Sequence, residues 1–244
     1  MRLNRFEVLL RHIHFNHNAN IDRSDRLYKI RPLLNSLNEN FKKQRGLDEH
    51  LSIDGKHYAK QYIKGKPIRF KNWALLCSSN GYMISFEIYT GKSDAEKVFG
   101  LDGDVVMSLL HKSEVPSNQG YKIFVNNYFT SLSLLNHLSE NKICATATVR
   151  DIRTEKCPFP ESTSWKSKPR GSHSFVSCDN VTFVQWKDNK AVTLGTNFES
   201  NDIVTTSRWC KETKTKKQIP QPKIIAGYNK HMGGFDKMDG LIAL

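Results

Sequence analysis

The sequence is short of acidic residues and of long hydrophobic runs. Its 244 residues contain 24 Asp and Glu against 37 Lys and Arg, which gives a formal net charge of +13. This imbalance excludes an acidic tail protein and suits a polyanionic partner such as nucleic acid. No apolar run approaches the ~20 residues needed to cross a bilayer, so the sequence predicts no membrane association.

Cysteine is also scarce, and its spacing is uninformative for metal binding. The chain has five cysteines and no C-x-x-C pair, which argues against both a disulfide framework and a zinc knuckle. The first residues contain no uninterrupted hydrophobic stretch and no small-residue cleavage site. We therefore expect reduced thiols, no zinc, and a location in the nucleus or cytoplasm.

Apolar periodicity predicts an α/β fold. Helical spacing over residues 2–14 and from Pro32 onward indicates two amphipathic helices. From His50 the pattern changes to three strands, the last two forming a hairpin, and then to alternating helices and strands as far as residue 149. This order predicts a mixed sheet flanked by helices.

Composition divides the chain into four parts. Residues 150–222 are rich in lysine, serine, threonine and proline, with strand candidates SFVSC, VTFVQW and KAVTLG, and we interpret them as a β-rich insertion. The lysine cluster KETKTKKQ within them is left open as an exposed linker, a nuclear-import patch or a DNA contact. The predicted organisation is an N-terminal helical segment (1–48), the first part of the core (49–149), the insertion (150–222) and the last part of the core (223–244), with its catalytic helix from about Gly234.

Three positions could serve metal-dependent phosphoryl transfer, which needs carboxylates gathered at strand ends. Asp54 ends the apolar strand LSID, and Asp236 and Asp239 are three residues apart, on one face of a predicted helix. Asn126 follows the strand YKIFV, where a third carboxylate would be expected. The alternatives are a turn aspartate at 54 and stabilisation of a helix N-terminus at 236 and 239.

A run of basic residues alternating with aromatic ones is the best local candidate for contact with a phosphate backbone. A solvated surface is the alternative. Tryptophans could stack on bases, although packing is the commoner role. The basic residues of the run are Lys60, Lys64, Lys66, Arg69 and Lys71.

Several blocks of the sequence resemble the transposase domain of the piggyBac family. They occur in the family's order across residues 2–242 and include RFEVLLRHIHF, LSID, GYMISFEIYTGK, GDVVMSLL, KIFVNNYFTS, WKDNKAV and YNKHMGGFDKMD. The resemblance implies an RNase H-like fold with a β-rich insertion before the last catalytic helix. It also implies cleavage and joining of DNA at TTAA sites by three aspartates with Mg²⁺ or Mn²⁺.

Carried over by motif, the first aspartate is Asp54 and the third is Asp236 with Asp239, while the second falls on Asn126. Gly55 stands where the family usually has Glu. An amide carries no charge and cannot act as a bridging carboxylate, so we expect impaired cleavage.

The sequence thus predicts a nuclear, transposase-derived DNA-binding protein with no small-molecule substrate. The family's cysteine-rich zinc module is not expected in this chain, and formation of a homodimer is left open. Two alternatives remain at this point, namely an active transposase or nickase at TTAA sites and a decayed fragment without function.

Overall fold

The computed structural model describes residues 3–44, 46–57, 71–90, 98–150, 153, 162–210 and 213–243. Two amphipathic helices come first, α1 (Leu3–His12) and α2 (Arg31–Gln44). The first half of the sheet and its helices follow as β1 (His50–His57), β2 (Lys71–Cys77), β3 (Met83–Tyr89), α3 (Gly100–Lys112), β4 (Lys122–Val125), α4 (Leu132–Glu140) and β5 (Cys144–Thr148).

The second half of the chain begins with three more strands and ends with two helices. Between them lies a two-stranded hairpin that was not predicted from the sequence. These elements are β6 (His173–Cys178), β7 (Val181–Lys187), β8 (Ala191–Thr196), β9 (Ile203–Cys210), β10 (Thr215–Pro222), α5 (Lys223–His231) and α6 (Gly234–Ile242).

Within the described ranges, eight strands form one mixed sheet in the order β3-β2-β1-β4-β5-β8-β7-β6. The central strands β1, β4 and β5 are parallel, and the other pairs are antiparallel. The parallel pairing of β1 with β4 ends at Ile53 and Val125, although β1 continues beyond the predicted strand LSID to His57 along β2. The residues that follow this pair, Asp54 and Asn126, therefore meet at one edge of the sheet.

Helices cover both faces of this sheet. On one face, α3 and α4 pack Val106, Leu109 and Leu135 against the strands in the main core cluster. On the other face, Phe235 and Met238 of α6 lie with buried strand residues, and α5 buries two isoleucines near β7 and β8. Alternate residues of β2 supply both faces, because successive side chains of a strand point in opposite directions.

The strands β6 to β8 continue the main sheet rather than standing beside it. Thr146 of β5 pairs with Thr196 of β8, and their hydroxyls are 2.9 Å apart. Phe183 of β7 belongs to the same buried cluster as the residues of β1 and β4. Hydrogen bonds and apolar packing thus cross the predicted boundary at residue 150.

The predicted RNase H-like α/β class is confirmed, as are the hairpin of β2 and β3 and the helix from Gly234. The segment 223–231, which had no predicted helix, is α5. Among the described residues, no helix combines the length and the apolar character needed to cross a bilayer.

Candidate functional site

Asp54, in the middle of β1, lies against Asn126, which directly follows β4. The Asn126 Nδ2 donates a hydrogen bond of 2.9 Å to Asp54 Oδ1, and the backbone N–H of Gly55 donates to the same oxygen at 2.7 Å. The other side of the amide is also engaged, because the backbone N–H of Tyr128 donates to Asn126 Oδ1 at 2.8 Å. These two contacts fix the direction of the amide, with its NH₂ toward the carboxylate.

The carboxylate of Asp54 lies in a partly buried and negatively charged environment. Burial raises its pKa above the usual range, and the negative charge of Asp236 raises it further, while the hydrogen bonds from Gly55 and Asn126 act in the opposite direction. The charge of Asp236 therefore reaches Asp54 even though its own side chain is exposed. Asp239 lies about one turn further along α6 and is half-buried.

Two glycines allow α6 to approach the sheet closely at this place. A Cβ at Gly234 would lie 2.2 Å from Ser52 Oγ, and a Cβ at Gly81 would lie 2.6 Å from the backbone N of Met238. Gly81 also has a φ of 75° in the turn between β2 and β3. The position of Asp236 beside the strands thus depends on close contacts at Gly81 and Gly234 that leave no room for a Cβ.

The presence of glycine at position 55 has a local structural explanation. A Cβ there would lie 2.6 Å from Cδ1 of Trp73 on the paired strand β2. The indole occupies the space that the family's Glu side chain would need.

Tyr128, beside Asn126, is held between two cationic side chains. The Lys71 ammonium donates to the Tyr128 hydroxyl at 2.6 Å and lies 3.9 Å from the ring centroid. On the other side, Arg153 donates to the Tyr128 carbonyl at 2.6 Å and to Asp102 at 2.8 Å. Lys71, a predicted DNA contact, is therefore at the rim of the site, whereas Lys60, Lys64, Lys66 and Arg69 lie outside the described residues.

Tyr228 of α5 is a site residue that sequence reasoning missed. Its hydroxyl is 3.2 Å from Thr148 Oγ1 at the end of β5. Burial raises its pKa to about 12, and the charge of Asp54 acts in the same direction. It is thus a neutral hydrogen-bonding group near Asp54, and its place in the block YNKHMGG was the only available signal.

The resemblance implies a divalent metal ion, so the question is whether the side chains at this site offer the ligands that such an ion needs. Mg²⁺ requires oxygen ligands, but Asn126 presents N–H to Asp54 and its oxygen is occupied by Tyr128. Across the described ranges, no group of three or more His, Cys, Asp or Glu side chains is arranged to hold a metal ion. In this arrangement, the side chains of Asp54 and Asn126 therefore do not fit a divalent cation.

Three parallel strands between antiparallel neighbours, with polar residues at their carboxyl ends, define an RNase H-like domain. Residues 1–243 match the family described as Transposase IS4. The chain therefore belongs to the Transposase IS4 family, and the predicted resemblance to piggyBac transposases is confirmed.

Human relatives and a solved structure agree with this assignment. The chain is 32% identical over 252 residues to human "PiggyBac transposable element-derived protein 3", with 98% of the chain and 42% of that protein covered. It is also 32% identical over 257 residues to human "PiggyBac transposable element-derived protein 2", with 100% and 43% covered. The chain thus spans less than half the length of these relatives.

The fold matches a piggyBac transposase solved as a synaptic complex with hairpin DNA. The TM-score is 0.77 at 23% identity, with 100% of this chain and 51% of that chain covered.

Proposed function

We propose that this chain is a piggyBac transposase-derived DNA-binding protein in which metal-dependent strand cleavage is impaired by Asn126. The observation that carries the proposal is the hydrogen bond from Asn126 Nδ2 to Asp54 Oδ1. An aspartate at this position would offer oxygen ligands and a negative charge, whereas the amide offers a donor and leaves Asp54 without a metal-binding neighbour.

DNA binding is supported by the charge and by the relatives. A net charge of +13 favours a polyanion, and the solved piggyBac structure is a complex with DNA. Lys71 and Arg153 at the rim of the site are suitably placed for phosphates. A nuclear location follows from this proposal.

A second candidate is an active transposase or nickase at TTAA sites, favoured by the influence of the Asp236 charge on Asp54. Transposases of this kind use divalent metal ions. Asp54, Asp236 and Asp239 would then serve as metal ligands, with Asn126 turned to offer its oxygen.

The two candidates are separated by a nicking assay on a TTAA-containing duplex with Mg²⁺ or Mn²⁺. We expect the wild-type chain to bind the duplex without cleaving it, and Asn126→Asp to raise cleavage by at least about 10–100-fold. The matched control is Asn127→Asp, which adds the same charge at the exposed neighbouring position and should leave cleavage unchanged.

A second measurement does not depend on cleavage. Mn²⁺ should raise the thermal midpoint of the Asn126→Asp variant and not that of wild type, because a ligand that binds only the folded state stabilises it. Wild-type cleavage that is abolished by Asp54→Ala would overturn the proposal in favour of the active enzyme.

A further inference from the structure

The hairpin of β9 and β10 is separate from the main sheet. Among the described strands, these two pair only with each other, in a register that joins Ile203 to Pro222 and Cys210 to Thr215. The cluster KETKTKKQ, for which the sequence allows a linker, a nuclear-import patch or a DNA contact, overlaps this hairpin, and its last four residues lie in β10.

Its two faces differ in burial. One face lies against the body of the protein, where Ile219 and Gln221 are buried and Arg208 is 5.8 Å from the ring of Trp186. Directly paired residues of a hairpin share a face, so Trp209 and Lys216 lie together on the other one. Every residue of this outer face from 205 to 209 and from 216 to 220 is exposed, namely Thr205, Ser207, Trp209, Lys216, Gln218 and Pro220.

The hairpin is anchored to the rest of the protein on both strands, near its turn on β9 and near its base on β10. Asp188, in the turn between β7 and β8, pairs with Arg170 and with Arg208, the latter at 3.1 Å. Arg170 also donates to the carbonyl of Trp209 at 2.9 Å, and the indole N–H of Trp186 donates to the carbonyl of Pro220 at 2.9 Å. The outer face is therefore held in a fixed orientation before any partner binds.

The described part of the hairpin carries positive charge only. It contains Arg208, Lys214, Lys216 and Lys217 and no Asp or Glu. The three lysines are exposed, and no described carboxylate lies within ion-pair distance of them, whereas Arg208 shares Asp188 with Arg170. Lysines with no acidic partner among the described residues are suited to contact phosphates.

An exposed tryptophan accompanies these lysines. Trp209 is 54% exposed, while Trp73, Trp165 and Trp186 are exposed by 4%, 1% and 2%. A large aromatic side chain gains free energy when it is covered, at roughly 25 cal/mol per Å² of apolar surface. Binding of a partner that covers the indole of Trp209, in addition to contacting the lysines, is therefore favoured.

We propose that the outer face of this hairpin binds duplex DNA, with Lys216 and the exposed turn residue Lys214 at phosphates and Trp209 against the wall of a groove. A two-stranded β-ribbon has the dimensions that the major groove admits. The inference rests on the proposed DNA binding and adds a contact surface distinct from Lys71 and Arg153 at the strand ends.

The first test is salt-titrated binding of a fluorescent duplex to Lys214→Gln/Lys216→Gln. Its matched control is Lys29→Gln/Lys43→Gln, which removes the same charge from two exposed lysines in the N-terminal part of the chain. Each phosphate contact contributes about 0.9 to the slope of log K against log salt, so the hairpin variant should lose about 2 from that slope. The control should keep the wild-type slope, and equal circular dichroism spectra establish that both variants fold.

The second test uses Trp209 itself. Acrylamide should quench its fluorescence in the free protein, since the other three tryptophans are buried, and duplex DNA should remove this quenching. A Trp209→Phe variant should show no quenchable fraction, and its affinity should fall several-fold.

The outcomes separate this inference from the proposed function. A wild-type chain that binds no DNA overturns both. Wild-type binding with equal slopes in the two double variants, or quenching of Trp209 that DNA leaves unchanged, overturns the hairpin site alone. The hairpin site for duplex DNA is also contradicted if single-stranded DNA protects Trp209 from acrylamide and the duplex does not. Stacking of Trp209 on unpaired bases would then explain the contact.

Discussion

Asp54 carries a free-energy cost in the folded chain, because burial raises its pKa and the folded state therefore binds a proton more tightly than the unfolded state. Its charge reduces stability at neutral pH, and the reduction shrinks as the pH falls through the folded pKa and is gone below the lower, unfolded pKa. Such a group is typical of functional sites, where stability is given up for chemistry or binding.

We expect Asp54→Asn to raise the free energy of unfolding at pH 7 by about 1 kcal/mol. The neutral amide keeps an oxygen for the Gly55 and Asn126 donors and avoids the cost of burying a charge. Urea unfolding at pH 7 and at pH 4 measures the effect. The gain should shrink at the lower pH, where the wild-type carboxyl is increasingly protonated, and a loss of stability at pH 7 would contradict this account.

A second group with a shifted pKa lies at the opposite edge of the sheet. The rings of His231 and His50 stack with centroids 4.0 Å apart, and Phe124 lies 5.0 Å from His231. Burial lowers the pKa of His231 to about 4, helped by the positive charges of His50 and nearby lysines. The unfolded chain therefore binds this proton at a higher pH than the folded chain does.

Stability should consequently fall as the pH drops from 6.5 toward 4, since protons bind the unfolded chain preferentially there. His231→Phe keeps an aromatic ring beside His50 and Phe124 but removes the titrating nitrogen. Urea unfolding at pH 7 and pH 4.5 should show a smaller decrease for this variant than for wild type. Equal decreases in the two proteins would exclude His231 as the cause.

At the scale of elements, the position of α6 depends on the small residues at its contact with the sheet. Gly234→Ala places a Cβ 2.2 Å from Ser52 Oγ, beside the backbone of Cys77. We expect a loss of about 1–3 kcal/mol in the free energy of unfolding, as for other overpacked cores.

Gly240→Ala in the same helix is the matched control, because a Cβ there meets nothing within 4 Å. Alanine favours a helix over glycine by up to ~1 kcal/mol, so this variant should be neutral or more stable. Thermal unfolding of the two variants side by side decides the point, and similar midpoints would show that α6 is not held by close backbone contact.

The elements also differ in how well the sequence predicts them. The short strand β4 has a continuous apolar run, Ile123 to Val125, and β1 and β5 alternate buried apolar residues with polar ones, so the class of fold follows from these strands and the helices between them. The hairpin of β9 and β10 escaped prediction because Thr, Lys, Gln and Pro dominate it and only its inner face near Ile219 is buried. The helix α5 contains Gly227 and follows a proline-containing segment, both of which weaken a helical pattern.

Part of the candidate site could also be predicted from the order of the parallel strands. Asp54 and Asn126 each follow the last paired residue of two neighbouring parallel strand segments, so their proximity follows from the order of the elements. The direction of the Asn126 amide depends on the Tyr128 N–H, and the position of Tyr228 depends on α5. Neither follows from local sequence, because both require the three-dimensional path of the chain.

At the scale of the whole molecule, both halves of the chain contribute to one sheet. Val181 and Phe183 of β7 share the main buried cluster with residues of β1 and β4. An insertion that folded as an independent unit would have its own core instead.

We therefore expect the two halves to unfold together. Trp73 lies in β2 and Trp186 in β7, so variants that retain only one of them, with the other tryptophans changed to Phe, report on each half. Their urea midpoints should coincide, as in two-state unfolding. Separated midpoints would indicate independent units, and the absence of any cooperative transition would favour a decayed fragment.

The pairing of β8 with β5 has a further consequence for solubility. A buried strand such as β5, with Ala145 and Ala147 fully inaccessible, would be a template for other chains if its outer edge were open. β8 closes that edge, and the sheet ends instead at β6, where His173 and Ser177 are exposed. A chain shortened before β8 would retain Asp54 and Asn126 but would present an apolar edge on which copies could add as further strands and aggregate.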